Sequence, residues 1–203
     1  MNKKIEYVLY WVLSFTWALP TTVLGATAAM VLILFGNKPK KFGPALDFEI
    51  GNGFGVSMGL FFVSGKSGSN LNKCHELGHH LQSCFLFGPF SIFCVYIPSV
   101  IRFWMREMKT YKKKTIFLVF VHVFAIIAFS SFLFVSILTN IIWLEIISGA
   151  MIVYFAGLFS WFMISELPKY KKLPHPLYNS IYIEKNATAR GVSFMNRHYG
   201  KVK

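Results

Sequence analysis

Residues 115–138 read TIFLVFVHVFAIIAFSSFLFVSIL, and residues 141–164 read IIWLEIISGAMIVYFAGLFSWFMI. Each run is about 24 residues long, enough for a helix to cross a hydrocarbon core of about 30 Å. Thr139-Asn140 separates them, so residues 115–164 are predicted to form a transmembrane hairpin. A basic stretch precedes it (Arg102, Arg106, Lys109, Lys112, Lys113, Lys114) and a basic tail follows. Cations at the flanks mark the cytoplasmic side, so both ends of the hairpin belong there. Glu145 then falls near the outer end, with Trp143 at the interface. His122 lies inside the first span. It is either a functional group or a neutral imidazole bonded to a neighbouring helix.

Composition agrees with a lipid environment. Of 203 residues, 55% are hydrophobic, 18% aromatic and only 14% charged, and 22 are Phe. A soluble globular chain carries about 25% charged residues. The length suits one domain over 1–203 rather than two. The formal net charge of +13 would suggest nucleic acid in a soluble protein. Here the cations gather at the ends of apolar runs, which argues against nucleic acid and for membrane lipid as the partner. The expected location is a bacterial cytoplasmic membrane, with basic loops and tail in the cytoplasm. Cys74, Cys84 and Cys94 are an odd number in a chain that is no small disulfide scaffold, and they read as free thiols.

Outward from the hairpin, residues 6–36 form a long apolar stretch flanked by lysines. It is either a retained anchor kinked at Pro20 or a tight hairpin. Residues 42–68 are Gly-rich, with alternating runs at 46–50 and 56–63 that predict one or two strands joined through Gly51-Asn52-Gly53. Residues 71–104 predict a helix, capped by Asn70 or Asn72, that breaks at Gly88-Pro89 and continues as an apolar helix containing Pro98. In the tail, 168–203, a turn at Leu173-Pro174-His175-Pro176 precedes a helix from Leu177 to Arg190, ending at Gly191. The expected fold is therefore mainly α and integral to the membrane, with about three to five membrane helices and a small β element ahead of the helix at 71.

That helix carries His75-Glu76-Leu77-Gly78-His79. Two histidines four apart lie about 40° apart around a helix, on one face, where they can share a metal ion. Glu76 adjoins the first of them and can act as general base on a metal-activated water without being a ligand. Gly78 leaves open space beside the metal face on this reading. Gln82, seven after His75, shares its face and could orient a ligand or a substrate. A catalytic zinc takes a third protein ligand. The candidates are Asp47, Glu49, Glu107, Glu145, Glu166, Glu184, His175 and His198. Glu145 belongs across the membrane and Glu107 in a solvated basic run, while Glu184 on the tail helix and Glu166 remain open.

The run Asn72-Lys73-Cys74-His75-Glu76-Leu77-Gly78-His79-His80-Leu81-Gln82-Ser83, then Phe87-Gly88-Pro89, then Ile97-Pro98-Ser99, resembles an uncharacterised bacterial integral-membrane family reading H-E-x-G-H-x-x-Q, G-P and P-S. Gly53–Phe61 and Tyr178–Gly191 resemble it too. The wider resemblance is to gluzincin-type zinc metallopeptidases, in which a second helix supplies a Glu ligand, often with an acid four positions later. This resemblance implies Zn2+ held by His75, His79 and Glu184. Thr188 stands where the acid would be, a departure that touches the support of the first helix. In such peptidases an edge strand beside the site pairs with substrate backbone, which here implies residues 56–63. Tyr178, Tyr182 and His198 are candidates for helping at the oxyanion.

The function expected is a membrane-embedded zinc peptidase acting on a peptide or membrane-protein segment, with Glu76 as general base. The alternative is a non-catalytic metal-binding scaffold, or a partner subunit of an export or immunity system.

Overall fold

The computed structural model describes residues 2–51, 55–66, 68–172 and 182–200. In chain order its helices are α1 (Lys3–Ser14), α2 (Leu19–Leu34), α3 (Asn70–Gln82), α4 (Ile97–Glu107), α5 (Tyr111–Thr139), α6 (Ile142–Trp161), the short α7 (Lys169–Lys172) and α8 (Tyr182–His198). Four strands, β1 (Lys40–Phe42), β2 (Ala45–Glu49), β3 (Val56–Met58) and β4 (Phe61–Ser64), lie between α2 and α3. The chain divides into two compact units, residues 1–97 with 177–203 and residues 98–176.

In the first unit, the stretch expected over residues 6–36 is bent, but not at Pro20. Two helices meet at 72°. The break falls at residues 15–18, ahead of Pro20, which sits in the first turn of α2 where its missing N–H costs nothing. The β element is larger than the one or two strands expected. Its order is β1-β2-β4-β3, with β2 and β4 parallel and the two edge strands antiparallel to their neighbours. The run 56–63 is two strands rather than one, because Gly59 at φ +66° turns the chain against Thr22 of α2. Residues 52 and 53 of the expected joint lie outside the described residues.

Ser69 caps α3, not Asn70 or Asn72: its hydroxyl accepts the Asn72 N–H at 3.3 Å. After Gln82 the helix loosens into wider π-type turns, and Gly88-Pro89 interrupts it as expected. The core packs Tyr10 of α1, Phe62 of β4, Leu77 and Leu81 of α3 and Phe194 of α8. Each large apolar side chain buried this way stabilises the unit by about 1.5–3 kcal/mol. Glu6 of α1 closes the unit at its termini, accepting from Arg197 at 2.6 and 2.9 Å and meeting His198 at 3.0 Å.

The tail helix does not end at Gly191; α8 runs through it to His198. The reason is steric. A side chain on Gly191 would collide with the Cys74 carbonyl, and one on Gly78 with the Ala187 carbonyl. The two helices cross backbone to backbone at these small residues, so Gly78 is a contact point and not the open space expected beside the metal face. The turn at 173–176 and residues 177–181 lie outside the described residues.

The second unit contains the predicted hairpin. Thr110 caps α5, and Asn140, at φ 53°, ends it in the left-handed conformation that Asn tolerates. The flank is not uniformly solvated. Arg102 is buried beside Glu166 (3.6 Å) and over the Trp161 ring, and buried Lys114 donates to the Met105 and Met108 carbonyls. His122 donates through Nδ1 to the Leu118 carbonyl at 2.7 Å and packs against Phe155, Phe159 and Phe162. The bond is to a carbonyl of its own helix, not of a neighbouring one as expected, and only ring contacts reach across.

Two helical stretches, Tyr111–Thr139 and Ile142–Lys171, are long and apolar enough to cross a membrane. Counting the broken pairs Lys3–Leu34 and Asn70–Glu107 as spans raises the number to four. The expected three to five thus becomes two to four.

Candidate metal centre

The register of the α3–α8 crossing decides what meets above it. Cys74 and Gly78 on α3 abut Ala187 and Gly191 on α8, each pair four residues apart on one face. One position round, His75 and His79 therefore face Glu184 and Thr188. His79 Nε2 lies 3.0 Å from Glu184 Oε2, His75 Nε2 lies 3.3 Å from the same oxygen, and the two Nε2 atoms are 3.1 Å apart. Glu184 is fully buried and His79 nearly so. Among the described residues this is the His/Cys/Asp/Glu group whose donor atoms could hold a metal ion.

The outer nitrogens of both rings are already engaged. His79 Nδ1 meets Gln82 Oε1 at 2.9 Å, while Gln82 Nε2 donates to the Ile183 carbonyl at 2.7 Å and to Asn186 Oδ1 at 3.2 Å. A carbonyl only accepts, which sets the amide's orientation, so His79 Nδ1 carries the proton. His75 Nδ1 meets Thr188 Oγ1 at 2.9 Å, and that hydroxyl donates to the Glu184 carbonyl at 3.3 Å, so it accepts from His75. In the neutral rings both Nε2 atoms then present lone pairs to each other and to a carboxylate oxygen. Three acceptors facing one another repel, and a cation among them reverses the sign.

Thr188 thus takes the supporting position expected of an acid, as a hydroxyl acceptor. Valine there should leave α8 in place and weaken metal binding by about 10- to 100-fold. Competition against a chelator would measure it, and unchanged affinity would contradict the role given to this hydrogen bond.

Glu76 is outside the donor set but beside it, buried against β3 and within electrostatic reach of His75 and Glu184. Its carboxylate accepts the Ser57 N–H, and a side chain on Gly55 would run into it. Four of the other five carboxylate candidates are engaged elsewhere. Lys73 bonds Asp47 at 2.7 Å and Glu49 at 2.6 Å, and Ser64 donates to Asp47. Lys40 and Lys73 together hold the Glu49 carboxyl down at about 2. This clamp fastens the start of α3 to the sheet two residues before His75. Glu166 pairs with Arg102 and Lys169 in the second unit, and Glu107 with Arg106.

His198 sits beside Glu6, against the Tyr7 and Phe194 rings, rather than at the donor cluster. Tyr182 is exposed in the first turn of α8, and Tyr178 and His175 lie outside the described residues. His80 turns to the core, bonded to Ser14 at 2.9 Å. Sequence reasoning missed Asn186 and the Lys73 clamp. Asn186 offered no spacing signal, being two residues from Glu184, whereas Lys73 following two acidic strand positions was a weak one.

No family model matches this chain, and neither a curated protein nor a solved structure matches it.

Proposed function

We propose that this chain is a membrane-embedded zinc-dependent hydrolase, a peptidase of gluzincin type acting on a peptide or membrane-protein segment. The observation that carries this reading is the convergence of His75 Nε2, His79 Nε2 and Glu184 Oε2 within 3.3 Å of one another, with both Nδ1 atoms already bonded outward.

Two imidazoles and a carboxylate are a donor set that zinc favours. Tetrahedral bonds of about 2.0–2.1 Å place neighbouring donors about 3.3 Å apart, close to the separations here. The three donors found among the described residues match the number a catalytic zinc takes, which supports hydrolysis over a metal-stabilised scaffold. When bound, zinc lowers the pKa of a water to about 7 and polarises a carbonyl. The chain's own residues do the rest. Glu76, held by Ser57 and outside the donor set, takes a proton from the attacking water and passes it to the leaving amine. Gln82 and Thr188 hold the imidazoles in the tautomer that presents Nε2 inward.

Elemental analysis of the purified chain tests the metal half. One zinc per chain is expected, with Glu184→Gln losing most of it while its helical circular dichroism persists. A Glu184→Gln protein with full zinc occupancy would remove this residue from the site.

A further inference from the structure

The second unit carries a feature that the metal site leaves unused: an asymmetric ring of cations at one end of an apolar shaft. The two long helices run antiparallel, so the start of α5 and the end of the α6–α7 stretch lie together. Lys171 stands over the Tyr111 ring at 5.2 Å and Lys114 over the Tyr170 ring at 4.7 Å. The C-terminal end of α4 is fastened to the same place, because Lys114 donates to the Met105 and Met108 carbonyls. Arg106, Lys109, Lys112, Lys113, Lys169 and Lys171 are therefore gathered at one end of the hairpin.

The acids at that end are few, and they are occupied. Glu166 is buried against Arg102 and Lys169, and Glu107 pairs with Arg106. Among the described residues no carboxylate pairs with Lys109, Lys112, Lys113 or Lys171, and all four are exposed. At the opposite end, around Thr139–Leu144, there is no Lys or Arg, and Glu145 is the nearest charge. Between the ends the shaft exposes Phe120, Phe124, Ile127 and Val153, side chains that water would not favour. Trp104, about half exposed beside the cations, and Trp161 supply the amphipathic rings found at a headgroup boundary.

We propose that this cationic end is a binding surface for anionic phospholipid headgroups. The partner follows from charge complementarity and from depth. Four cations without acidic partners lie where an apolar shaft ends, at the level a headgroup phosphate occupies if the shaft crosses a bilayer. Each basic group near an anionic surface strengthens binding by about fivefold, an effect that falls off within a Debye length. The surface would enrich acidic lipid around the hairpin and hold that end in the more acidic leaflet.

The test uses the full chain in nanodiscs of equal phosphatidylcholine and phosphatidylglycerol. Lipid carried through detergent exchange is counted by native mass spectrometry. Phosphatidylglycerol should be retained about tenfold over phosphatidylcholine at low salt, with the preference collapsing at high salt. The variant Lys109→Gln/Lys112→Gln/Lys113→Gln should bring the two lipids near parity while its helical circular dichroism and thermal melt stay those of the native chain, which separates loss of this surface from loss of the fold. Should that variant not express, Lys171→Gln with Lys112→Gln gives a smaller drop in the same direction. Equal retention of the two lipids by the native chain, or a preference that survives high salt and the charge removal, would overturn the proposal. Zinc content and lipid preference are independent readouts, so failure of one reading leaves the other standing.

Discussion

Glu76→Gln should keep its metal and lose its chemistry. Glutamine matches glutamate in shape, and its carbonyl oxygen can still accept the Ser57 N–H that now holds the carboxylate. The amide cannot take a proton from water at neutral pH. General acid–base groups contribute about 10²- to 10⁴-fold, so hydrolysis of a quenched-fluorescence peptide library should fall by that range. Zinc content should stay at one per chain, since Glu76 is outside the donor set of His75, His79 and Glu184. Full activity with zinc bound would end the assignment of Glu76 as base. Zinc lost together with activity would instead place Glu76 among the residues that hold the site.

The second large effect is expected far from any charge. Gly191→Ala adds one methyl group, and in an exposed helix this change stabilises by about 1 kcal/mol. Here the sign should reverse. The new Cβ would meet the Cys74 carbonyl and the Gly78 nitrogen, both backbone, so no side chain can rotate away. The helices must part, and the expected loss is about 3 kcal/mol or more, a large share of an ordinary domain's 5–15 kcal/mol. Zinc should go with it, because the same crossing sets His75 and His79 against Glu184. Gly149→Ala on α6 is the control, since nothing lies within 4 Å of its added Cβ. A thermal melt in detergent compares the two. A Gly191→Ala protein melting with the native chain would show that the crossing has room to spare.

Some of this was legible beforehand because it is local. Hydropathy alone marked the hairpin at 115–164, and helix geometry alone put His75 and His79 on one face. Gly88-Pro89 announced a break and a break is there. Other features were ambiguous in one dimension. A glycine ends a helix or lets another helix approach, and Gly191 reads the same in either case until its partner Cys74 is known. Asp47 and Glu49 are carboxylates that suit a metal or an ammonium, and only the arrival of Lys73 from α3 decides between them. The parallel pairing of β2 with β4 depends on how β3 turns back at Gly59, which no alternation of residues announces. Bottom-up elimination left Glu184 and Glu166 both open as third donor. The packing separates them: one is brought to His79, the other to Arg102.

The interval between the two halves of the donor set governs when the site can exist. His75 is 113 residues from Thr188, which supports it from the helix that carries Glu184, and the whole hairpin lies between them. At about 5–20 residues per second, synthesis takes several seconds to travel from the first histidine to the last helix. Throughout that time α3 has its two imidazoles and no α8 to complete them. The donor set is thus incomplete while α5 and α6 are being made, and the proposed chemistry can begin only once α8 is in place. Under the proposed function, an enzyme built in this order cannot cut its own unfinished chain.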